Sequence, residues 1–556
     1  MRCTLLATAL LALVPGVSSA QRAGITQLPD TVVAAIDRGF AWATAESPGC
    51  AIGVARQGTP VLTRAYGMAN LEHGVPNTPE TVFESGSVAK QFTAAAVMLL
   101  VGDGKLSLDD DIRRWLPEVP DFGAPITVRM LLTHTSGLRD QWGLLSLSGN
   151  GPGRQVHTFE TILDLVSRQK ALNFAPGTEY LYSNTGYVLA ALVVQRASGK
   201  RFAQFSEERL FEPLGMTNTR WRDDFTRVVK QRATAYTGSS QVGFRQDMPF
   251  TNVHGNGGLL TTVGDLLLWN AFLDQPKAEV GGAALVAALE TPGRLRGGRA
   301  IGYALGLGVD SIGGRRAISH SGATAGYRTW LARFPGEQLS VAVLCNAGGA
   351  NPTALGTQVA SRLLPPRTQP AAAQAGAPAP ALSAAELGRY AGTFHAPRTG
   401  QVMRIDVRDG RLMAVQPSTV PLTPIASDRF RLGGVGEIVY RTTGARVTGA
   451  MLLQGDDTTT FVVPAPVDSS TAALARYAGT YHSAELDLEV AVAVKDGRLV
   501  LRQRPLQEHA LRPAFRDAFE VPGAGTIIFT RDRAGRIDGL GVWAGRIRNV
   551  RFDRVR

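Results

Sequence analysis

The chain has 556 residues and a mass of 59.1 kDa, with 44% hydrophobic and 19% charged residues. It is too long for one ordinary domain and too apolar for a disordered chain, so roughly two to four globular units are expected. The formal charge of +12 is carried mostly by arginine spread along the whole length; with no Lys/Arg cluster interleaved with aromatics, nucleic acid is not an expected partner.

Taken in order, the chain opens Met1-Arg2-Cys3, runs apolar from Leu5 to Val14, and closes that run with Val17-Ser18-Ser19-Ala20. A positive start, a short apolar core and small residues predict a signal peptide over 1–20, cleaved after Ala20, and hence a periplasmic or secreted protein. The run is too short to span a bilayer as a mature helix and no later stretch reaches that length, so no membrane span is expected. The mature chain keeps Cys50 and Cys345 in strand-like runs. Two cysteines make no disulfide framework, and buried free thiols are expected.

Residues 31–45 read as a helix, and Ala51 to Arg56 and Val61 to Ala65 as two strands around Gln57-Gly58-Thr59-Pro60. Next comes Phe83-Glu84-Ser85-Gly86-Ser87-Val88-Ala89-Lys90, leading into the apolar run Ala94 to Leu100. On a helix, positions i and i+3 share a face, so Ser87 and Lys90 can converge. Ser85 or Gly86 can cap that helix and put Ser87 in its first turn. A serine hydroxyl needs a neighbouring base, and a desolvated lysine can supply one. A second S-x-x-K, Ser167 to Lys170, reads as the solvated end of an amphipathic helix over Thr158 to Gln169.

A loop from Gly104 re-enters a short helix that stops near Pro117. Leu131 to Leu138 holds His134, read as structural, and Pro176-Gly177 turns the chain into Tyr180-Leu181-Tyr182-Ser183-Asn184. The helix Gly186 to Arg196 follows. Later, Gly255 to Leu259 precedes a helix from Asp265 to Leu273. Tyr303 to Val309, Ala317 to Ser321, Tyr327 to Phe334 and Leu339 to Cys345 read as strands. Strands from both ends with helices between them suggest one antiparallel sheet carrying packed helices.

Pro365 to Pro380 is rich in Pro and Ala and reads as a semi-rigid linker. Beyond it the pattern changes to short alternating strands and Gly turns, with no convincing helix. The region is duplicated. Arg389-Tyr390-Ala391-Gly392-Thr393 recurs 87 residues on at Arg476, and Asp409-Gly410-Arg411-Leu412 recurs at the same offset at Asp496. Asp-Gly between alternating apolar residues is a hairpin signal, and two small antiparallel β-barrels follow.

Acyl transfer through serine needs an activated hydroxyl, a base, a shuttle for the leaving group and an oxyanion hole. Ser87 and Lys90 are the first pair. A Tyr182 phenolate can act as base if nearby positive charge, which Lys90 could provide, lowers its pKa, and Asn184 can hold Lys90 or a substrate amide. His320-Ser321-Gly322 sits on a candidate strand where Gly322 allows close approach, and the N–H groups of Ser87 and Ala323 are the expected oxyanion pair. There is no G-x-S-x-G and no H-E-x-x-H, and the eight histidines lack metal spacing; no metal and no cofactor is expected. His254 near Gly257 reads as a loop residue, and His395 and His482, at matched repeat positions, as parts of the barrel fold.

Together, Ser87-x-x-Lys90, Tyr182-x-Asn184 and His320-x-Gly322 resemble the three signatures of the serine β-lactamase-related hydrolases, over roughly residues 30–365. That family includes class C β-lactamases, D-Ala-D-Ala carboxypeptidases, D-aminopeptidases and certain esterases. Class C β-lactamases typically carry Lys-Thr-Gly where this chain has His320-Ser321-Gly322, and the histidine form looks more like the D-amino-acid peptidases. A hydrolase domain followed by two small barrels is similar to the three-domain D-aminopeptidases. The resemblance implies an α+β, transpeptidase-like domain over 21–364, a linker over 365–382, and lipocalin-like barrels over 383–466 and 467–556. It implies Ser87 as nucleophile, Lys90 and Tyr182 as acid–base partners, Asn184 as a ligand of substrate and Lys90, and His320 as a contact to a substrate carboxylate or the transition state. The substrate would be a small peptide or amide containing a D-amino acid, with a cell-wall peptide as one candidate. An esterase or weak β-lactamase of the same mechanism is an alternative, as is a penicillin-recognising sensor that acylates without turnover. The barrels are expected to shape access without supplying catalytic groups. Oligomeric state is left open.

Overall fold

A computed structural model describes residues 28–365, 382–415, 419–455, 457–503 and 507–555. The expected signal peptide and all but the ends of the expected linker lie outside them.

Helix α1 (Asp30–Gly39) leads into strands β1 (Cys50–Arg56) and β2 (Thr59–Tyr66), and helix α2 (Lys90–Gly102) follows. Helices α3 (Asn184–Ser198) and α4 (Val263–Asp274) come before β3 (Gly308–Ile312), β4 (Arg315–Thr324), β5 (Tyr327–Phe334) and β6 (Leu339–Cys345), and helix α5 (Pro352–Leu363) closes the domain. The six strands form one antiparallel sheet in the order β3-β4-β5-β6-β1-β2, so strands from the two ends of the domain pair through β1 and β6.

The period of two along β1 sorts its side chains to opposite faces. Cys50, Ile52 and Val54 join α1 and α5 through Ile36, Phe40 and Val359. Ala51 and Ala55 face the larger core with Val263, Leu266 and Leu267 of α4. Small residues let α4 approach that face: a Cβ on Gly53 would lie 3.0 Å from Leu267 and 3.2 Å from Val263. Helix α2, almost wholly buried, packs on α3 in the same core.

Two expectations are corrected here. Cys50 and Cys345 face each other directly in the β1–β6 register and form a disulfide, not a pair of free thiols; sequence order, 295 residues apart, hides a cross-strand pair. The strand expected from Tyr303 begins only at Gly308. The preceding loop folds down on α2, where Gly306, at φ +78°, sits so close to Gln91 that a Cβ would lie 2.7 Å from its nitrogen. That turn carries Tyr303 towards the site.

Each duplicated segment is a closed eight-stranded antiparallel barrel, one running from Gly392–Ala396 to Asp457–Val462, the other from Gly479–Ser483 to Ile547–Arg554. Each is preceded by one turn of helix that sequence reading missed, Ala384–Gly388 and Thr471–Ala475, capped by Ser383 and Ser470. Ser383 with Glu386 forms a capping box, the signal that was there to be read.

Candidate active site

The turn that carries Ser87 is built by a small three-stranded sheet. Phe83–Glu84 pairs with Leu259–Thr261, which also pairs with Arg220–Trp221, and Ser85 N donates to Leu259 O at 2.8 Å. The chain then enters a 3₁₀ turn over Gly86–Ala89, and α2 starts at Lys90. Ser87 therefore precedes the α-helix instead of lying in its first turn, and neither Ser85 nor Gly86 caps it by side chain. Ser87 is the one half-exposed residue in a run that is otherwise buried from Thr81 to Val97.

Strand β4 lies against this turn as closely as backbone allows. A Cβ on Gly322 would lie 2.0 Å from Ser85 O and 3.1 Å from Ser87 N, and one on Gly86, at φ +51°, would lie 2.6 Å from Ala323 N. Only glycine fits either place. The close approach brings the Ser87 and Ala323 N–H groups to the same end of the cleft, as an oxyanion pair requires.

Lys90 Nζ is buried and lies 3.1 Å from Ser87 Oγ, 2.9 Å from Asn184 Oδ1 and 2.6 Å from Asn256 O. Burial holds its pKa well below the usual lysine range; nearby Asp140 opposes this and Arg546 adds to it. A neutral amine has two N–H bonds and one lone pair. Asn184 Oδ1 and Asn256 O can only accept, so they take the two donors and the lone pair is left to face the Ser87 hydroxyl.

Asn184 opens α3 and its amide is fixed from behind. Its backbone N and its Nδ2 both donate to Asp140 Oδ2, at 2.7 and 2.9 Å, which turns Oδ1 towards Lys90. Asp140 is itself buried and caps the helix Gln141–Leu147 through Trp142 N.

The Tyr182 ring packs on His134, with centroids 4.1 Å apart, and Lys90 Nζ lies 4.8 Å from the ring centre. Its hydroxyl is buried and makes no hydrogen bond of good geometry, yet lies near enough to Ser87 for that group to matter electrically. Burial pushes the Tyr182 pKa up, against the opposing influence of Ser87 and Arg546, so the phenol stays protonated. His134, at φ +58°, accepts from Ser183 N through Nδ1 and so positions the Tyr182 segment from below.

His320 lies on β4 and both of its ring nitrogens are engaged. Nδ1 is 2.6 Å from Ser321 O, which can only accept, so Nδ1 carries the proton; Nε2 then accepts from the Tyr303 hydroxyl at 2.9 Å. Burial, with Lys90 nearby, pulls its pKa down to about 4. At neutral pH it is an uncharged, fully bonded imidazole, and no cation stands at this place on the strand.

The structure thus brings Ser87, Tyr182, Asn184, His320, Gly322 and Ala323 together around one cavity of about 910 Å³, with Lys90 buried behind Ser87 and Asn184. The other candidates fall away from the chemistry. Ser167 Oγ donates to Asp164 O at a helix end, and His254 packs among Phe159, Phe202 and Trp221. His395 stacks on Phe515 between the two barrels, while His482 stands 3.8 Å from the Asp487 carboxylate within the second.

Sequence reading missed Asp140, Tyr303, the Asn256 carbonyl and Arg546. Asp140 carried a signal, an acidic residue ahead of a short helix. Arg546 carried none. It sits in the last hairpin of the second barrel, between Ile537–Ala544 and Ile547–Arg554. Its guanidinium lies 4.5 Å from the Tyr182 ring centre and 3.9 Å from Asp140 Oδ2. The second barrel thus places a charged side chain at the cleft.

A firm dock holds that hairpin. Arg546 O accepts from Asn173 Nδ2 at 2.9 Å, and Asn173 Oδ1 accepts from Arg548 N at 2.8 Å. Arg139, 2% exposed, pairs with Glu485, 4% exposed, at 2.7 Å, and donates also to the carbonyls of Ala171, Arg548 and Asn549. Ile547 is buried against Gly143, where a Cβ would come within 2.9 Å of it.

With this geometry in view, comparison with known proteins is direct. The Beta-lactamase family profile matches residues 34–364, more than half of the chain. The protein belongs to that family and is an enzyme of the serine hydrolase class. It is 28% identical over 526 residues to a D-aminopeptidase of Brucella melitensis biotype 2, covering 92% of this chain and 96% of the relative. To a D-aminopeptidase of Cereibacter sphaeroides it is 28% identical over 530 residues, covering 91% and 96%. Among solved structures it is similar in fold to the octameric penicillin-binding protein homologue from Pyrococcus abyssi, with TM-score 0.53, 22% identity, and coverage of 86% of this chain and 98% of that one. A D-stereospecific amidohydrolase from Streptomyces sp. is similar in fold over 59% of this chain and 97% of its own, with TM-score 0.50 and 24% identity.

Proposed function

We propose that the protein is an exported serine hydrolase that cleaves amide bonds in peptides or amides containing D-amino acids, through an acyl-Ser87 intermediate. The observation that carries this reading is the buried Lys90 amine, 3.1 Å from the Ser87 hydroxyl and with its pKa held well below the usual lysine range. The D-aminopeptidase relatives, alike over nearly the whole chain, support the substrate class.

In this reading Ser87 gives its proton to Lys90 as its oxygen attacks the amide carbonyl, and the Ser87 and Ala323 N–H groups receive the negative oxygen. Tyr182, held protonated by burial, donates to the departing amine, and the C–N bond breaks. Water then attacks the ester, gives up a proton to the same pair of groups and releases the acid with Ser87 restored. Asn184 keeps Lys90 in register and His320, braced by Tyr303, forms the floor beside Ser321 and Gly322.

Export is supported by the apolar N-terminal run ahead of Ala20 and by the Cys50–Cys345 disulfide, a bond that persists in oxidising compartments. A small peptide, cell-wall peptides included, is the proposed substrate. The test is a panel of D-alanine p-nitroanilide, its L counterpart, N-acetyl-D-Ala-D-Ala, a short-chain nitrophenyl ester and nitrocefin. Turnover of the D-amides without their L counterparts supports the reading. Preference for the ester or for nitrocefin over every D-amide contradicts it.

A further inference from the structure

We propose that Arg546, delivered by the second barrel, is the specificity-determining residue of the cleft and selects substrates bearing a carboxylate near the scissile bond. The proposal rests on the D-amide reading above and names the charge of its substrate.

Most charged side chains in and around the cavity already have partners. Glu84 is spent on Arg222, at 2.9 and 3.1 Å, with Arg232 3.6 Å away. Asp140 is spent on Asn184 and Trp142 N. Lys90 is buried and spent on Ser87, Asn184 and the Asn256 carbonyl, and His320 has both ring nitrogens bonded. Arg328 is tied by one of its terminal nitrogens to the carbonyls of Ala325 and Tyr327. Among the described residues, Arg546 makes no side-chain hydrogen bond, and its one ion pair is the 3.9 Å approach to a carboxylate whose oxygens already accept three N–H groups. Its side chain is 47% exposed and lines the cavity that holds Ser87.

A guanidinium with free donors, stacked on Tyr182 and open to the cleft, fits a planar anion, which it can hold by two parallel N–H···O bonds. The same charge repels a substrate ammonium. The residue is held in place by backbone, since the carbonyl of Arg546 and not its side chain makes the contact to Asn173. Its guanidinium is therefore free to serve the ligand. Among the described residues, Asp247, beside the turn at Gly326, is the carboxylate lining the cavity that makes no ion pair, and it provides the opposing prediction: a cleft that reads an ammonium.

The carboxylate can belong to the acyl part of the substrate or to the leaving amino acid. The experiment separates the two with matched compounds. D-alanine p-nitroanilide, its N-acetyl and its N-succinyl derivatives vary charge on the acyl side; N-acetyl-D-Ala-D-Ala and its C-terminal amide vary it on the leaving side. The expected result is a preference for the carboxylate member of one set, on the order of 10- to 100-fold in kcat/KM, the usual worth of a charge-assisted hydrogen bond. Arg546→Gln should bring that ratio near one, Arg546→Lys should restore part of it, and Arg546→Glu should turn it towards the free amine. No carboxylate preference in the wild type, or a ratio unchanged in Arg546→Gln, overturns the proposal, as does a free-amine preference that Asp247→Asn abolishes. Protection of Ser87 from a fluorophosphonate by the same compounds reads selectivity without turnover. Arg546-dependent protection by carboxylates, with no D-amide hydrolysed, would refute the D-amide reading and keep this one; equal protection by charged and neutral members would refute this one.

Discussion

Asn184 Nδ2 donates to Asp140 Oδ2 at 2.9 Å, and this single bond decides that Asn184 Oδ1 points at Lys90. An amide has no other way to satisfy a carboxylate on one side and an amine N–H on the other. Asp140→Asn keeps a good helix cap but lets the Asn184 amide turn over. We expect kcat/KM to fall by about 10²-fold, the scale of a misplaced catalytic group, with thermal stability nearly unchanged. Wild-type kcat/KM in Asp140→Asn would show that Lys90 is oriented by something else.

Lys90 ties stability to pH. Its folded pKa lies well below its unfolded value, and burial is the main cause. Between those two values the unfolded chain binds a proton that the folded chain does not, so folding gains stability as pH rises through that window. Lys90→Met removes the dependence. Its loss of the donors to Asn184 and Asn256 adds an offset that does not titrate. The melting temperature of the variant, measured relative to wild type, should therefore decline as pH rises from the folded pKa of Lys90 towards the usual lysine range. A gap that stays constant across that range would mean Lys90 is protonated in the folded enzyme.

The residues of the candidate site were legible in the sequence because each lies in a short motif whose chemistry needs that spacing: Ser87 with Lys90, Tyr182 with Asn184, His320 with Gly322. The barrels were legible from the 87-residue repeat. What escaped reading depends on distant pairing. Cys50 meets Cys345 only because β1 and β6 are neighbours, and Arg546 meets Tyr182 only because a barrel docks on the loop around Arg139. His320 was legible as a site residue but not in its state, since its neutrality comes from Tyr303 and from burial, neither of which spacing reveals.

The disulfide ties the two ends of the catalytic domain, so its effect should be on stability and not on chemistry. Replacing Cys50 and Cys345 together with alanine should lower unfolding free energy by roughly 2–4 kcal/mol and leave kcat within about twofold, because neither sulfur faces the cleft. Denaturant unfolding of both forms, with and without reductant, checks this. A reductant-insensitive wild type would contradict the bond's role.

Glu485 anchors the second barrel through Arg139. Glu485→Gln leaves a buried guanidinium without its counter-charge, and breaking such a pair costs about 3–5 kcal/mol. The loss should extend to function, because the same arginine holds the carbonyls of Arg548 and Asn549 beside Arg546. Urea unfolding and kcat/KM, measured together, should both fall. A stability loss with unchanged substrate preference would separate the dock from the cleft.

The central claim is that Ser87, activated by Lys90, carries the acyl group. Intact-protein and peptide mass spectrometry after brief exposure to a slowly hydrolysed acylating probe, a β-lactam or a fluorophosphonate, tests it most directly. The account predicts one adduct, on Ser87, formed in wild type and in Ser167→Ala, absent in Ser87→Ala, and slowed by roughly two to four orders of magnitude in Tyr182→Phe. An adduct retained in Ser87→Ala and lost in Ser167→Ala would contradict it.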